Sequence, residues 1–159
     1  MSQSSPSARR INGARFRIGV VAARFNEALV DGLLAQLTAG LGGAGVRVGE
    51  LAIVRVPGSH EVPWAAGRLA ASRRFDCVVA LGVLIGGDTN HHEMVGLSVS
   101  QALQRVALDT GIPVINGVIV TDTVAQARAR CTGKINRGAE FAQAALAMAE
   151  LKLSLKGNS

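Results

Sequence analysis

The chain has 159 residues, 48% hydrophobic and 18% charged, which is enough for one buried core and too little for two ordinary domains. Its formal charge of +6 invites a nucleic-acid partner, but the 17 Lys and Arg are spread along the sequence. Basic runs do not exceed pairs such as Arg9-Arg10 and Arg73-Arg74, and no interleaved aromatics offer a base-stacking platform, which argues against nucleic acid. No apolar run approaches the roughly 20 residues that cross a bilayer, and the N-terminus has no signal-type stretch, so a cytoplasmic protein without a membrane partner is predicted.

Residues 1–14 are Ser-rich, polar and aperiodic, and read as a flexible arm ahead of a single domain over 15–159. The first apolar run, Ile18 to Ala23, is short and continuous, as in a strand covered on both faces. After it, Asn26 is predicted to accept hydrogen bonds from a helix start, with Leu29, Leu33, Leu34 and Leu37 at helical spacing up to Gly42-Gly43. Val46 to Val56 is rich in β-branched residues and predicts a second strand, ended by Pro57-Gly58. A helix after Pro63, through Trp64, Leu69 and Ala70, precedes a third strand from Cys77 to Leu81, with Gly82 to Asn90 as a loop.

From Val95 the positions Val99, Ala102, Leu103, Val106 and Ala107 form one helical stripe, which Gly111 ends. Pro113 to Val120 reads as a fourth strand, Thr123 to Arg130 as a short helix, and Phe141, Ala144, Ala145 and Met148 as the inner stripe of a last long helix. Strands alternating with helices in this way demand a parallel sheet, right-handed crossovers and helices on both faces. Cys77 and Cys131 have no CxxC or Cys/His spacing around them and read as buried thiols.

In such folds ligands bind beyond the carboxyl ends of the strands. The segments there are Arg24-Phe25-Asn26, Pro57 to Glu61, Gly82 to His92, and Thr121-Asp122-Thr123. Glycines and Thr89 leading into a helix start present backbone N–H groups to an anion, so phosphate is a natural ligand, although neither GxGxxG nor a Walker loop is present. A capped turn, with Asp88 or Thr89 as the cap, is the competing reading.

His91 suits proton transfer beside such a turn. A metal would need His60, Asp88 or Glu93 to converge with the adjacent histidines, so no metal is expected. Phe25 can stack on a heteroaromatic ring, and Glu61 can accept hydrogen bonds from a polyol or amine. Arg130 and Arg137 flank a cationic loop that either completes a phosphate site or is solvated.

In order and spacing, these segments resemble the lumazine synthase family from about Arg15 to Leu151. The resemblance rests on Arg24-Phe25-Asn26, Val56 to Pro63, Ala80 to His91, Pro113 to Val118, and Asn136 to Glu140. It implies a flavodoxin-like three-layer α/β/α sandwich with a four-stranded parallel sheet, its N-terminal arm pairing with a neighbouring subunit. It further implies pentamers or a 60-subunit capsid, association with riboflavin synthase, and no cofactor. The implied reaction condenses 5-amino-6-ribitylaminouracil with 3,4-dihydroxy-2-butanone 4-phosphate.

Matched motif to motif, Phe25 would stack on the pyrimidine, Ser59-His60-Glu61 would meet the ribityl chain, and Val83-Leu84-Ile85 would line the ring by main chain. Asp88-Thr89 would hold phosphate and His91 would move protons. A neighbouring subunit would supply Asn116 to the ring and Arg130, with Arg137, to the phosphate. This chain departs from the family pattern at three positions: Asn116 stands where an aromatic residue is usual, His60 where an apolar or aromatic one is, and Gly86 where Arg is frequent. These departures motivate the competing expectation of a flavin- or lumazine-binding shell protein that has lost turnover.

Overall fold

The computed structural model describes Ser4 and residues 6–157. Four strands, β1 (Ile18–Ala23), β2 (Leu51–Val56), β3 (Cys77–Ile85) and β4 (Val114–Thr121), form one parallel sheet in the order β2-β1-β3-β4. Each strand is followed by helix: α1 (Glu27–Gly43), α2 (Val62–Ala71), α3 (His91–Thr110), then α4 (Val124–Cys131) and α5 (Arg137–Lys156). The chain turns left from β1 to β2 and right from β1 to β3, which puts a topological switch point between the two central strands.

The two sheet faces divide by the alternation of strand side chains. Val20 and Ala22 of β1 and Val79, Leu81 and Val83 of β3 pack against α1, α4 and α5. Val21, Ala23, Val78 and Ala80 face α2 and α3. Central strands with no polar face must bury both sides, and every residue of β1 is buried. The expected three-layer sandwich is therefore the observed architecture.

Several local expectations change. The predicted second strand begins at Leu51, because Val48–Glu50 is a 3-10 turn. The third strand runs on through Ile85 instead of stopping at Leu81, since Gly82 to Ile85 pair with Val118 to Thr121 of β4. Pairing to a partner strand decides that extension, and no local pattern announces it. On α5 the buried stripe is Gly138, Phe141, Ala142, Ala145, Leu146 and Ala149, so Ala144 sits at its margin and Met148 is exposed.

The arm expected over residues 1–14 falls partly outside the described residues. Within them, Ile11 and Gly13 are buried on the domain's own core, and the Gly13 N–H donates to the Ala44 carbonyl at 2.8 Å. One apolar anchor in a polar segment has no period, so this packing ahead of Arg15 is invisible to pattern reading.

Cys77 and Cys131 are buried, as expected, and unpaired. Burial is the main cause that pushes the Cys77 thiol up to about 12 and Cys131 to about 11 from an ordinary 9.0. Neither thiol should react with a disulfide reagent at pH 8 until urea unfolds the chain. The folded state holds these protons more tightly than the unfolded one, so stability is retained below pH 9 and falls as pH rises towards 11–12; denaturation midpoints across that window check the sign.

Candidate active site

A cleft of about 540 Å³ opens at the carboxyl ends of β1, β2 and β3, over the switch point. Phe25 and Asn26 enter it from the end of β1. Phe25 is 74% exposed, an apolar ring standing at the cleft mouth with no core role. Asn26 adopts a left-handed conformation (φ 57°), which Asn tolerates better than most residues. Contrary to expectation its side chain does not cap α1; its amide Nδ2 donates to the Val83 carbonyl at 2.8 Å. That bond ties the ends of β1 and β3 together at the cleft.

The turn after β2 contributes Ser59, His60 and Glu61, wound into a 3-10 turn before Pro63 in the first turn of α2. Ser59 is 4% exposed, and its Oγ is buried with no hydrogen-bond partner among the described residues. It fits only because position 82 is Gly, where a Cβ would stand 2.4 Å from that oxygen. A buried hydroxyl without a bond is costly, so this oxygen is primed to bond a ligand. Val83, Leu84 and Ile85 of the extended β3 line the cleft, and their strand pairing gives that wall a rigid backbone.

Thr89 and His91 close the cleft at the start of α3, where free N–H groups and the helix dipole favour an anion. The helix cap is Asn90, not Asp88 or Thr89, although the Thr89 Oγ1 accepts from the His91 N–H at 3.4 Å. Gly86 cannot carry a larger residue in this conformation, since a Cβ there would lie 2.7 Å from the Asp122 carbonyl oxygen. The tight β3–β4 pairing, ending at Ile85 and Thr121, is the reason.

Reading by motif overlooked His92 as a cleft residue. It lies in the lining with a side chain only 10% exposed, and its Nε2 is 3.3 Å from the Asp122 carboxylate. Carrying the α3 stripe back from Val99 and Val95 by one turn reaches His92, so the helical period held the signal. His92, Glu93 and Asp122 bring one possible ligand atom each to within 4.8 Å of one another; of the groups that sequence reasoning asked to converge with the paired histidines, Glu93 does so, while Asp122 was not among them.

Four of the expected residues lie outside this cleft within one chain. Asp88 is exposed beside it. Asn116 sits on the open edge strand β4, its Oδ1 accepting from the Val118 N–H at 3.0 Å. Arg130, in the last turn of α4, donates to the Gln126 carbonyl at 3.0 Å. Arg137 pairs with Glu140 at 2.6 Å, with its guanidinium 5.6 Å from the Phe141 ring centre.

A doubly wound sheet whose switch-point cleft combines an exposed ring, an unpartnered hydroxyl, a carboxylate and an imidazole beside a helix N-terminus has the architecture of a flavodoxin-like α/β enzyme. Residues 15–153 match the sequence profile of the 6,7-dimethyl-8-ribityllumazine synthase family. Proteins of that name from Thermococcus gammatolerans, Nitrosospira multiformis and Ralstonia pickettii are 43%, 41% and 42% identical to this chain. The matches cover 87%, 91% and 92% of this chain and 89%, 89% and 87% of the respective relatives. The chain belongs to the 6,7-dimethyl-8-ribityllumazine synthase family.

Proposed function

We infer that this protein condenses 5-amino-6-ribitylaminouracil with 3,4-dihydroxy-2-butanone 4-phosphate to give 6,7-dimethyl-8-ribityllumazine, releasing phosphate and water, a step of riboflavin biosynthesis. The observation that carries this reading is the single cleft uniting Phe25, the Ser59–Glu61 turn, the β3 end and the Thr89–His91 helix start in a chain of this family. The amine attacks the ketone and a Schiff base forms with loss of one water; phosphate is then eliminated with cleavage of its C–O bond, and the second amine closes the ring onto the remaining carbonyl with loss of a second water. Such chemistry asks the protein to orient two molecules and move protons, a task for positioned side chains.

In this reading Phe25 stacks on the pyrimidine, and the unpartnered Ser59 hydroxyl, with His60 and Glu61, receives the ribityl hydroxyls. Val83, Leu84 and Ile85 border the ring. Thr89, with Asp88 beside it, holds the phosphate over the α3 start, and His91 transfers protons. Mixing both substrates with the protein should produce lumazine absorbance and free phosphate together; substrate binding without either product would overturn the reading.

Asn116, Arg130 and Arg137 would complete the site from an adjacent copy, which makes the active form a homo-oligomer, a pentamer or a capsid of 60 subunits. Such an assembly would associate with riboflavin synthase, and the arm over 1–14 would pair with a neighbour through residues other than Ile11 and Gly13, which pack on their own core. No helix among the described residues is long and apolar enough to cross a membrane, in keeping with a cytoplasmic enzyme. Sedimentation should give at least a pentamer, and a fully active monomer would sink the shared-site proposal. Arg130→Ala should raise the apparent constant for the phosphorylated ketone about tenfold or more while barely changing that for the pyrimidine, because it removes one charge-assisted phosphate contact.

A further inference from the structure

The chain's positive charge is not spread evenly once folded. At the end of the sheet opposite the active site, where β1 and β3 begin, a second cleft of about 340 Å³ gathers cations from separate elements. Arg15 and Arg17 come from the approach to β1, and Arg47 from the connection between α1 and β2. Arg73 and Arg74 come from the turn between α2 and β3, and Lys152 and Lys156 from the last turns of α5. Against these seven cations the lining holds only Glu50 and Asp76, leaving a surplus of five charges in a chain whose total is +6.

The acids are already engaged. Arg17 is paired with Glu50, and the Lys152 ammonium lies 3.6 Å from Asp76. Arg15 reaches Glu150, just outside the lining, at 3.8 Å. Arg47 donates to the Ala14 carbonyl at 3.3 Å, and the Arg74 guanidinium sits 5.9 Å from the Phe75 ring centre. Among the described residues no carboxylate pairs with Arg47, Arg73 or Arg74. Arg73 also holds the left-handed position just after α2 (φ 56°), where glycine is the easy choice and a side chain carries a conformational cost. Like charges held together in one concave site repel, and although Lys156 in the last turn of α5 complements a helix end, nothing of that kind accounts for Arg15, Arg17 and Arg47 gathering with it.

We propose that this basic cleft binds an oligophosphate: two or more linked phosphoryl groups, either as the free inorganic ion or as the tail of a nucleotide. Guanidinium forks match phosphate oxygens in pairs, and a di- or triphosphate concentrates several charges within a few bonds. An acidic peptide spreads its charges along a backbone of about 3.3–3.6 Å per residue and does not fill a compact pocket with them. Phe75 is buried and offers no exposed stacking face, so recognition starts from the phosphates and a base without them has no platform.

Calorimetric titration of the intact oligomer with tripolyphosphate in magnesium-free buffer tests this. One site per chain is expected, with affinity falling as salt rises, because a multivalent contact is screened. The double variant Arg73→Gly/Arg74→Ala should weaken binding about tenfold or more. Arg73→Gly alone should also raise the melting temperature, since glycine suits the left-handed position, so lost binding cannot be ascribed to lost folding. Condensation measured without oligophosphate should be unchanged in both variants.

Titrations with ATP and adenosine separate the two sources. ATP equal to tripolyphosphate identifies the inorganic chain as sufficient, whereas ATP at least about tenfold tighter identifies a nucleotide, with adenosine silent in both cases. Absence of tripolyphosphate binding by the unaltered protein would overturn the proposal. So would a double variant that binds as well as wild type, placing the anion in the active-site cleft, or a single-stranded oligonucleotide that binds where tripolyphosphate does not.

Discussion

Replacing His91 by Ala should slow the condensation by an amount on the order of 10 to 10⁴ fold while leaving both substrates bound. The upper part of that range is what positioned acid–base groups supply, and the lower part applies if the bound substrates react largely unaided once oriented. His91 lines the cleft beside Thr89 at the start of α3, so a phosphate held at that helix start would lie next to its imidazole. Single-turnover absorbance separates the chemical step from binding. His92→Ala is the informative contrast, since His92 faces Asp122 and its loss should loosen the turn with a much smaller effect on rate. If His92→Ala were the crippled variant, or if a chelator abolished turnover through the His92, Glu93 and Asp122 group, the proton-transfer role given to His91 would be wrong.

Gly138→Val should cost on the order of 1–3 kcal/mol of stability or more, lowering the melting temperature by roughly 2–4 °C for each kcal/mol. Gly138 lies in the first turn of α5, where that helix crosses α1. A Cβ placed there would stand 2.4 Å from the Gln36 Cβ and 2.6 Å from the Leu33 carbonyl oxygen. The second neighbour is backbone, so the strain cannot be relieved by a rotamer change and one helix must move. The same close approach lets the Gly138 N–H donate to Gln36 Oε1 at 3.1 Å, a bond that the shift would break. Gly42→Ala is the control: an added Cβ there meets nothing within 4 Å, and Ala suits a helix better, so stability should rise by up to about 1 kcal/mol. Urea midpoints for the two variants should move in opposite directions; a neutral Gly138→Val would show that the α1–α5 crossing has slack.

The Asn136-to-Glu140 segment thus has a physical meaning that motif matching alone does not supply. Asn136 is left-handed (φ 46°) and its side chain accepts from the Ala139 N–H, starting α5 at the angle that brings Gly138 onto α1. Arg137 is meanwhile committed to Glu140 and the Phe141 ring within its own chain. Any phosphate contact it makes in an assembled site competes with that pairing.

The sequence by itself determined the order of strands and helices, the parallel sheet and the segments that meet at the cleft. Those features depend on local periods and on the rule that ligands lie beyond the strand ends, and both are written in neighbouring residues. The position of Ser59, Glu61, Thr89 and His91 at the cleft was legible for that reason. Tertiary structure alone decided what depends on partners distant in the chain. Pairing with β4 carried β3 to Ile85, a bond to Val83 turned Asn26 from a cap into a tether, and one-residue rotation of α5 exposed Met148. Charge shows the difference most plainly. In sequence the basic residues look dispersed, yet the chain starts of β1 and β3, the end of α5 and two connections converge at one end of the sheet and collect seven of them in one cleft. Coulomb interaction depends on distance in space, and a linear reading has no access to that distance.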